Sequence, residues 1–344
     1  MKTKSRDLFF PANERIKYNY RIHQRRALKK DDKTITALLK HIREYELFTN
    51  FIDFRHFTDK IADKYITAMT EQGTSLSYIN DNLRVLKEFF RWLERQRGYK
   101  GKIHYNHIDY LSLTNNQRRT AKATAYKKSY KYDQILTTIR AMPEFTAIQK
   151  RNKAMISLQA LCGLRISELR TVKLKNLIQE EGYYFIHVNP KDMQVKFAKS
   201  RHADFIGLPK DIVDNVLTWR DYLIAHGFKE KDTLFPQIPH QFGQSSFLET
   251  NPQHRPIQSN TTILNTFRKA FEAAGYEYYR PHSFRHTIAR YAEKQTPEFL
   301  NAVRQALGHS SIDTTIQSYG QLSESEQRRR IGQHAYISIN QVSL

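Results

Sequence analysis

Apolar residues recur at intervals of three and four along the first third of the chain, which predicts amphipathic helices. Three such segments follow one another between residues 31 and 97. Thr58 is placed to cap the second segment, and Gly73 and Gly98 bracket the third. The pattern predicts a helical domain, which we bound at residues 31 and 115. Its apolar faces are Ile35, Leu38, Leu39 and Ile42, then Ala62, Tyr65, Ile66 and Met69, then Ile79, Leu83, Leu86, Phe90 and Leu93.

The hydrophobic period changes twice in the second half of the chain. Helical spacing ends near Gly163 and restarts at Ser167, which is placed to cap the next helix. Residues 183 to 188 and 203 to 208 then alternate as short strands do. We therefore predict a mainly α chain with a small β-hairpin or sheet, and a mixed α/β domain over residues 132 to 335. Further helices end at Gly275 and run from Thr296-Pro297 to Gly308.

Basic residues cluster in two segments that have little periodicity. Residues 1 to 30 contain ten Lys or Arg residues against Asp7 and Glu14, and residues 95 to 131 contain ten against Asp109 alone. A segment of this kind orders on a charged partner more readily than it folds alone. We therefore predict a basic arm over residues 1 to 30 and a basic linker over residues 116 to 131. The chain would close with a tail over residues 336 to 344.

The charge balance of the whole chain favours a polyanionic partner. Its 56 Lys and Arg residues outweigh 34 Asp and Glu residues, for a formal net charge of +22, and the clustering argues against a purely solubilising role. No apolar run approaches the roughly 20 residues that span a bilayer, and the N-terminus lacks the apolar core of a secretory signal. We expect a cytoplasmic protein without a membrane partner. The single Cys162 rules out an intrachain disulfide and a cysteine-based zinc module.

Two short segments carry cationic side chains suited to phosphate binding. In GLRISELR at 163 to 170, Arg165 falls in a turn between helices, where a guanidinium can clamp a phosphate with two hydrogen bonds. In HSFRH at 282 to 286, His282 and Arg285 share one face of a helix that begins after Pro281. The ordinary alternatives are surface arginines and a capping histidine.

A third segment, LGHSSIDTTIQSYG at 307 to 320, places His309 after a helix-ending glycine and Tyr319 ten residues further on. A tyrosine hydroxyl can act as a nucleophile once it is positioned and relieved of its proton. With 20 tyrosines in the chain, a core or surface position is the alternative. His282 and His286 also have zinc-ligand spacing, but no Glu lies between them and no third ligand is evident, so we predict no metal.

In order and local context, the three segments resemble the motifs of the tyrosine recombinase family, also called phage integrases, over roughly residues 130 to 335. The resemblance also implies a catalytic lysine in the turn of a β-hairpin. Lys196 in KFAKSR at 196 to 201 is the match, and Lys199 is the alternative. The loop of residues 189 to 195 is longer than usual, and the spacing from His309 to Tyr319 is one residue longer than in most members. The catalytic residues implied are Arg165, Lys196, His282, Arg285, His309 and Tyr319, with Glu168 orienting the site.

The same resemblance implies a reaction and a partner. Members of the family are site-specific recombinases that cut and rejoin double-stranded DNA through a 3′-phosphotyrosine intermediate, without metal, ATP or another cofactor. Residues 31 to 115 would form the core-binding domain, which closes a clamp around DNA opposite the catalytic domain. The resemblance further implies a homotetramer on paired recognition half-sites, a monomer in free solution, and association with the nucleoid when the protein is bound to DNA.

Two other functions remain open at this point. A type IB topoisomerase shares the chemistry but relaxes any supercoiled DNA, and a catalytically silent regulator on the same fold would bind its site without a covalent adduct. The basic arm favours a mobile genetic element, with integration or excision as its role, over a chromosome-dimer resolvase.

Overall fold

The structure, a computed structural model, describes residues 9–122, 128–195, 199–242, 247–249 and 251–308. The chain divides into two compact units, residues 1–124 and residues 125–344, which we call unit 1 and unit 2. The division falls inside the segment that the sequence predicts as a linker. Within the described ranges, no helix is long and apolar enough to cross a membrane.

Unit 1 is helical. Side chains of Asp31, Thr58 and Ser75 accept hydrogen bonds from backbone N–H groups in the first turns of three of its helices, so the cap predicted at Thr58 is confirmed. Aromatic side chains fill the centre, where the ring of Tyr45 lies 5.4 Å from that of Tyr65 and 5.5 Å from that of Phe90. The helices are α1 (Pro11–Arg26), α2 (Asp32–Phe48), α3 (Asp59–Glu71), α4 (Leu76–Leu93), α5 (Tyr105–Asp109) and α6 (Asn115–Lys122).

The first part of the predicted N-terminal arm that the structure describes is a folded helix. In α1, Tyr20 is 1 % exposed and meets the ring of Phe89 edge-on at 5.1 Å. The buried Asn13 amide donates to Ile52 O and accepts from the backbone N–H of Phe54. The prediction of an unfolded arm is therefore wrong for residues 11–26. The sequence did not reveal this helix because apolar residues are few among its charged ones. The linker prediction is likewise wrong at residues 116–122, which belong to α6.

Unit 2 combines helices with a three-stranded antiparallel sheet of order β1-β2-β3 and a separate two-stranded ladder. The mainly α class with a small sheet is confirmed. Helix α8 lies at the centre and packs against α10. The helices are α7 (Tyr132–Ala141), α8 (Ala147–Cys162), α9 (Ile166–Thr171), α10 (Lys210–Ala225), α11 (Asn260–Ala273), α12 (His282–Ala292) and α13 (Pro297–Leu307). The strands are β1 (Leu177–Glu180), β2 (Tyr183–Val188), β3 (Arg201–Asp204), β4 (His240–Phe242) and β5 (Phe247–Glu249).

The sheet differs from its prediction in two of three strands. Strand β2 has the predicted bounds, but β1 is additional, joined to β2 by a tight turn with positive φ at Glu181 and Gly182. Strand β3 begins and ends earlier than the predicted segment 203 to 208. The reason is that the chain leaves the sheet after Asp204, where the Ile206 N–H donates to Leu161 O of α8.

Candidate active site

The turn after α8 holds two of the motifs together. Gly163 has φ of 56°, and a β-carbon there would lie 2.8 Å from Ile288 Cδ1 of α12, so this left-handed position favours glycine. The buried Gln159 side chain donates from Nε2 to Leu164 O at 2.9 Å and to Pro281 O at 3.1 Å. A single amide thus fixes the turn before Arg165 and the start of α12.

Arg165 stands at the start of α9 and is paired with Glu168. Its backbone N–H donates to Glu168 Oε2 at 2.8 Å, and its Nη1 donates to Glu168 Oε1 at 3.0 Å. The prediction that Ser167 caps this helix is wrong, because α9 begins at Ile166 and Glu168 accepts the hydrogen bond instead. The Arg165 side chain is 23 % exposed, which leaves it reachable from solvent.

Glu168 is fully buried and has a second arginine partner. Arg201, at the start of β3, donates from Nη1 to Oε1 at 3.0 Å and from Nη2 to Oε2 at 2.8 Å. Burial alone would raise the pKa of the Glu168 carboxyl, but the hydrogen bonds and charges of Arg201 and then Arg165 outweigh burial and hold that pKa below its usual value. Glu168 is therefore an anion between two cations.

Arg285 is buried, and the alternative of an exposed arginine is wrong for it. It is 1 % exposed, and its Nη1 donates to Gly163 O at 2.6 Å while its Nη2 donates to Leu307 O. The guanidinium therefore joins the turn after α8 to the end of α13. On the same helix, which begins after Pro281 as predicted, His282 is exposed and its ring lies 5.2 Å from that of the buried His286.

Helix α13 ends beside Arg201. The Arg201 Nε donates to Ala306 O at 2.9 Å, and a β-carbon at Gly308, where φ is 70°, would lie 2.7 Å from Arg201 Cδ. The start at Thr296 and the end at Gly308 are as predicted. His309 and Tyr319, which follow this helix, lie outside the described residues.

The segment between β2 and β3 is joined to α9 through Gln194. Gln194 donates its backbone N–H to Thr171 Oγ1 at 2.8 Å and accepts at Oε1 from Arg170 Nη2 at 2.6 Å. Lys196 lies outside the described residues, and Lys199 is exposed. Within the described part of the chain, no three His, Cys, Asp or Glu side chains come together as a metal site would need.

Arg201 is the site residue that sequence reasoning missed. The signal that could have found it is the two-residue period of β3, in which Arg201 shares a face with the fully buried Ala203. An arginine on the buried face of a strand needs an anionic or carbonyl partner nearby. The structure supplies both, from residues 33 and 105 positions away along the chain.

The chain is similar in sequence to a family of known recombinases. A model of the phage integrase family matches residues 128–326, a range that contains all six predicted catalytic residues. Tyrosine recombinase XerC of Bacillus pumilus is 24 % identical over 308 residues, which cover 88 % of this chain and 90 % of that protein. Transposase A from transposon Tn554 of Staphylococcus aureus is 22 % identical over 304 residues, covering 84 % and 78 %.

Solved structures share the fold. The XerH site-specific recombinase bound to a palindromic difH substrate aligns with a TM-score of 0.63 at 17 % identity, covering 88 % of this chain and 79 % of that one. A lambda integrase dimer bound to a COC′ core site aligns with a TM-score of 0.60 at 17 % identity, covering 88 % and 94 %. These comparisons favour neither the topoisomerase nor the silent regulator. Because the family match spans more than half of the chain, the chain belongs to the phage integrase family, the tyrosine recombinases.

Proposed function

We propose that this protein cuts and rejoins DNA at specific sites, with Tyr319 as the nucleophile. The observation that supports the proposal is that the first two sequence motifs meet the start of the third, at Leu307 and Gly308, in unit 2. Glu168 is shared by Arg165 and Arg201, and Arg285 and Arg201 both contact the end of α13. That helix leads directly to His309 and, ten residues later, to Tyr319.

The reaction needs cations around a phosphate and a proton donor for the leaving group. The Tyr319 oxygen attacks phosphorus, the bond from phosphorus to the 5′ oxygen breaks, and the 3′ phosphate stays on the tyrosine. Arg165 and Arg285 stabilise the charge on the non-bridging oxygens, because a guanidinium stays protonated and offers paired donors. Lys196 supplies the proton that the 5′ hydroxyl carries away, while His282 and His309 donate to the phosphate or accept the tyrosine proton. The energy of the broken bond is kept, so a second 5′ hydroxyl can reverse the step.

The partner is double-stranded DNA with paired half-sites. The family relatives of known structure include a lambda integrase dimer bound to a COC′ core site and a lambda integrase tetramer bound to a Holliday junction. The basic composition of this chain fits such a partner, because phosphate contacts dominate protein–DNA affinity. The working assembly is a homotetramer on two DNA sites, formed in the cytoplasm from protomers that are monomeric in free solution.

The test is covalent capture on a nicked duplex that carries a site selected by binding from a random-sequence library. The unmodified chain should form a protein–DNA adduct, and Tyr319→Phe should bind the same duplex equally well and form none. Tyr183→Phe is the matched control, since Tyr183 is exposed on β2. An adduct formed by Tyr319→Phe overturns the assignment of the nucleophile. Binding without any adduct from the unmodified chain favours the silent regulator, and relaxation of any supercoiled plasmid favours the topoisomerase.

A further inference from the structure

Arg201 joins its own strand to two segments that lie far from it in the sequence. It belongs to β3 of the hairpin, its Nη1 and Nη2 hold Glu168, and its Nε holds Ala306 O. Every nitrogen of the guanidinium therefore donates to the protein, and the side chain is 8 % exposed. A group bound in this way acts on a substrate through its neighbours.

The first neighbour is Glu168, and the argument is one of charge. Arg165 and Glu168 alone would form a neutral pair, in which the carboxylate competes with a DNA phosphate for the Arg165 guanidinium. Arg201 adds a second positive charge and engages both carboxylate oxygens. The three side chains together then carry one net positive charge. Arg165 is the most exposed of the three, at 23 %, so it is the cation that a phosphate can approach.

The second neighbour is the end of α13. Arg201 Nε satisfies the carbonyl of Ala306 in the last turn of that helix, where carbonyl groups lack helical partners. The Arg201 Cδ also fills the space beside Gly308 that a β-carbon would need. The position from which the chain continues to His309 is thus set by Arg201.

We propose that Arg201 is a positioning residue for DNA cleavage, which leaves the charge of Arg165 free for the scissile phosphate and fixes the end of α13. This inference rests on the proposed recombinase function. It predicts that loss of Arg201 slows cleavage far more than it weakens DNA binding, because every nitrogen of the Arg201 guanidinium already donates within the protein.

The experiment compares Arg201→Met, Arg201→Lys, the double variant Arg201→Met with Glu168→Gln, and the control Arg140→Met. Arg140 makes the same forked contact with Asp211, at 2.8 and 3.3 Å, but on the protein surface. The single-turnover rate of covalent capture is measured at saturating DNA from pH 5.5 to 8.5, together with binding of the selected site and thermal unfolding.

Arg201→Met should lower the capture rate about 100-fold at neutral pH, with site binding changed less than about threefold. Its rate should partly recover as the pH drops, because Glu168, left with Arg165 as its one remaining close cation, takes up a proton at higher pH and then no longer competes with the DNA phosphate for Arg165. The other titratable groups of this neighbourhood are Cys162, Asp204 and Arg285, and burial raises the pKa of the Cys162 thiol so that it stays neutral. The double variant should lack this pH dependence, and Arg140→Met should match the unmodified chain.

Arg201→Lys keeps the charge but cannot engage both carboxylate oxygens and Ala306 O, so it should recover part of the rate. It also keeps the test decisive if Arg201→Met does not fold. Capture by folded Arg201→Met or Arg201→Lys at the unmodified rate and with the unmodified pH profile overturns the inference while leaving the proposed function intact. Absence of capture by the unmodified chain overturns the proposed function, and this inference with it.

Discussion

Among the residues that the structure describes, each unit buries one glutamate completely, and the two carboxyls differ in their partners. In unit 1, Glu46 of α2 accepts a hydrogen bond from Lys17 Nζ of α1, which also donates to Glu14 Oε1 at 2.6 Å. Burial raises the pKa of Glu46 above its usual value, since one shared lysine does not offset it. In unit 2, two guanidiniums and a backbone N–H reverse that result and lower the pKa of Glu168.

The difference separates two uses of a buried ion pair. Glu46 and Lys17 join two helices, and such a pair contributes little net stability because both charges lose their water. Glu168 lies where cations outnumber it, and its charge decides where the guanidiniums point. We infer that the Glu46–Lys17 pair is a packing feature of unit 1, and that Glu168 with its two arginines holds cations for the proposed phosphate substrate.

The largest expected effect comes from Arg285→Met in unit 2. This change removes a cation proposed to bind the phosphate and leaves Gly163 O and Leu307 O without their donors. The capture rate should fall by about 10³-fold, or about 4 kcal/mol of transition-state stabilisation. Single-turnover capture at saturating DNA measures it. Lys17→Met, which removes the buried cation of unit 1, should leave that rate within about twofold. Equal losses of capture rate in both variants would contradict the different roles inferred for the two units.

Lys17→Met should instead lower the unfolding free energy of unit 1 by about 3 kcal/mol, because it leaves a buried carboxylate without its cation. Replacing the whole pair, with Lys17→Met and Glu46→Leu together, should recover most of this loss. Each unit contains one tryptophan, Trp92 or Trp219, so urea unfolding of Trp219→Phe chains reports unit 1 through Trp92. A double variant as unstable as Lys17→Met would contradict the assignment of a packing role.

Each unit also has a buried side-chain amide, Gln159 in unit 2 and Asn82 in unit 1, and replacing either should have a smaller effect than the changes above. Gln159→Leu leaves the carbonyls of Leu164 and Pro281 unpaired and should destabilise unit 2 by about 2 kcal/mol. It should also slow capture, since those carbonyls fix the turn before Arg165. The control in unit 1 is Asn82→Leu, whose buried amide binds side chains only, among them Tyr65 and Glu44. It should lose stability without loss of capture rate, and slowed capture in both variants would remove the distinction.

The smallest effect is the opposite pH dependence of the two units. The contribution of Glu168 is present above its unfolded pKa and is lost as the pH falls through its lower folded pKa. For Glu46 the folded pKa is raised, so stability is lost as the pH rises through that pKa. Urea unfolding is measured across the pH range in which glutamate carboxyls titrate, and is read from Trp92 and Trp219 separately. The unfolding free energies of the two units should change in opposite directions with pH, each by about 1 kcal/mol. Glu46→Gln and Glu168→Gln should flatten the slope of their own unit only.

Local features of the sequence predicted the helix ends well. Thr58, Gly163, Pro281 and Gly308 act through backbone groups within a few residues, so their positions follow from neighbouring sequence alone. The predicted motifs also meet in one unit, as far as Arg165, His282 and Arg285 are concerned. The roles of Lys196, His309 and Tyr319 stay predictions.

Long-range features escaped prediction for a physical reason. The burial of Arg285 depends on carbonyls 122 and 22 positions away, and the anion beside Arg201 lies 33 positions away. No local pattern encodes such partners. Helix α1 escaped because Ile16 and Tyr20 are its main apolar anchors, and they become informative only when their partners in the core, such as Phe89 beside Tyr20, are known.

The space beside Gly308 ties two positions together over evolutionary time. A side chain at 308 would collide with Arg201, and a smaller residue at 201 would leave Glu168 with Arg165 as its one arginine partner and Ala306 O without the Arg201 donor. A larger residue at 308 therefore requires a change at 201, whereas Gly308, whose φ of 70° favours glycine in any case, can persist beside other residues at 201. In a large set of related sequences, residues other than glycine at position 308 should therefore occur mainly where position 201 is not arginine.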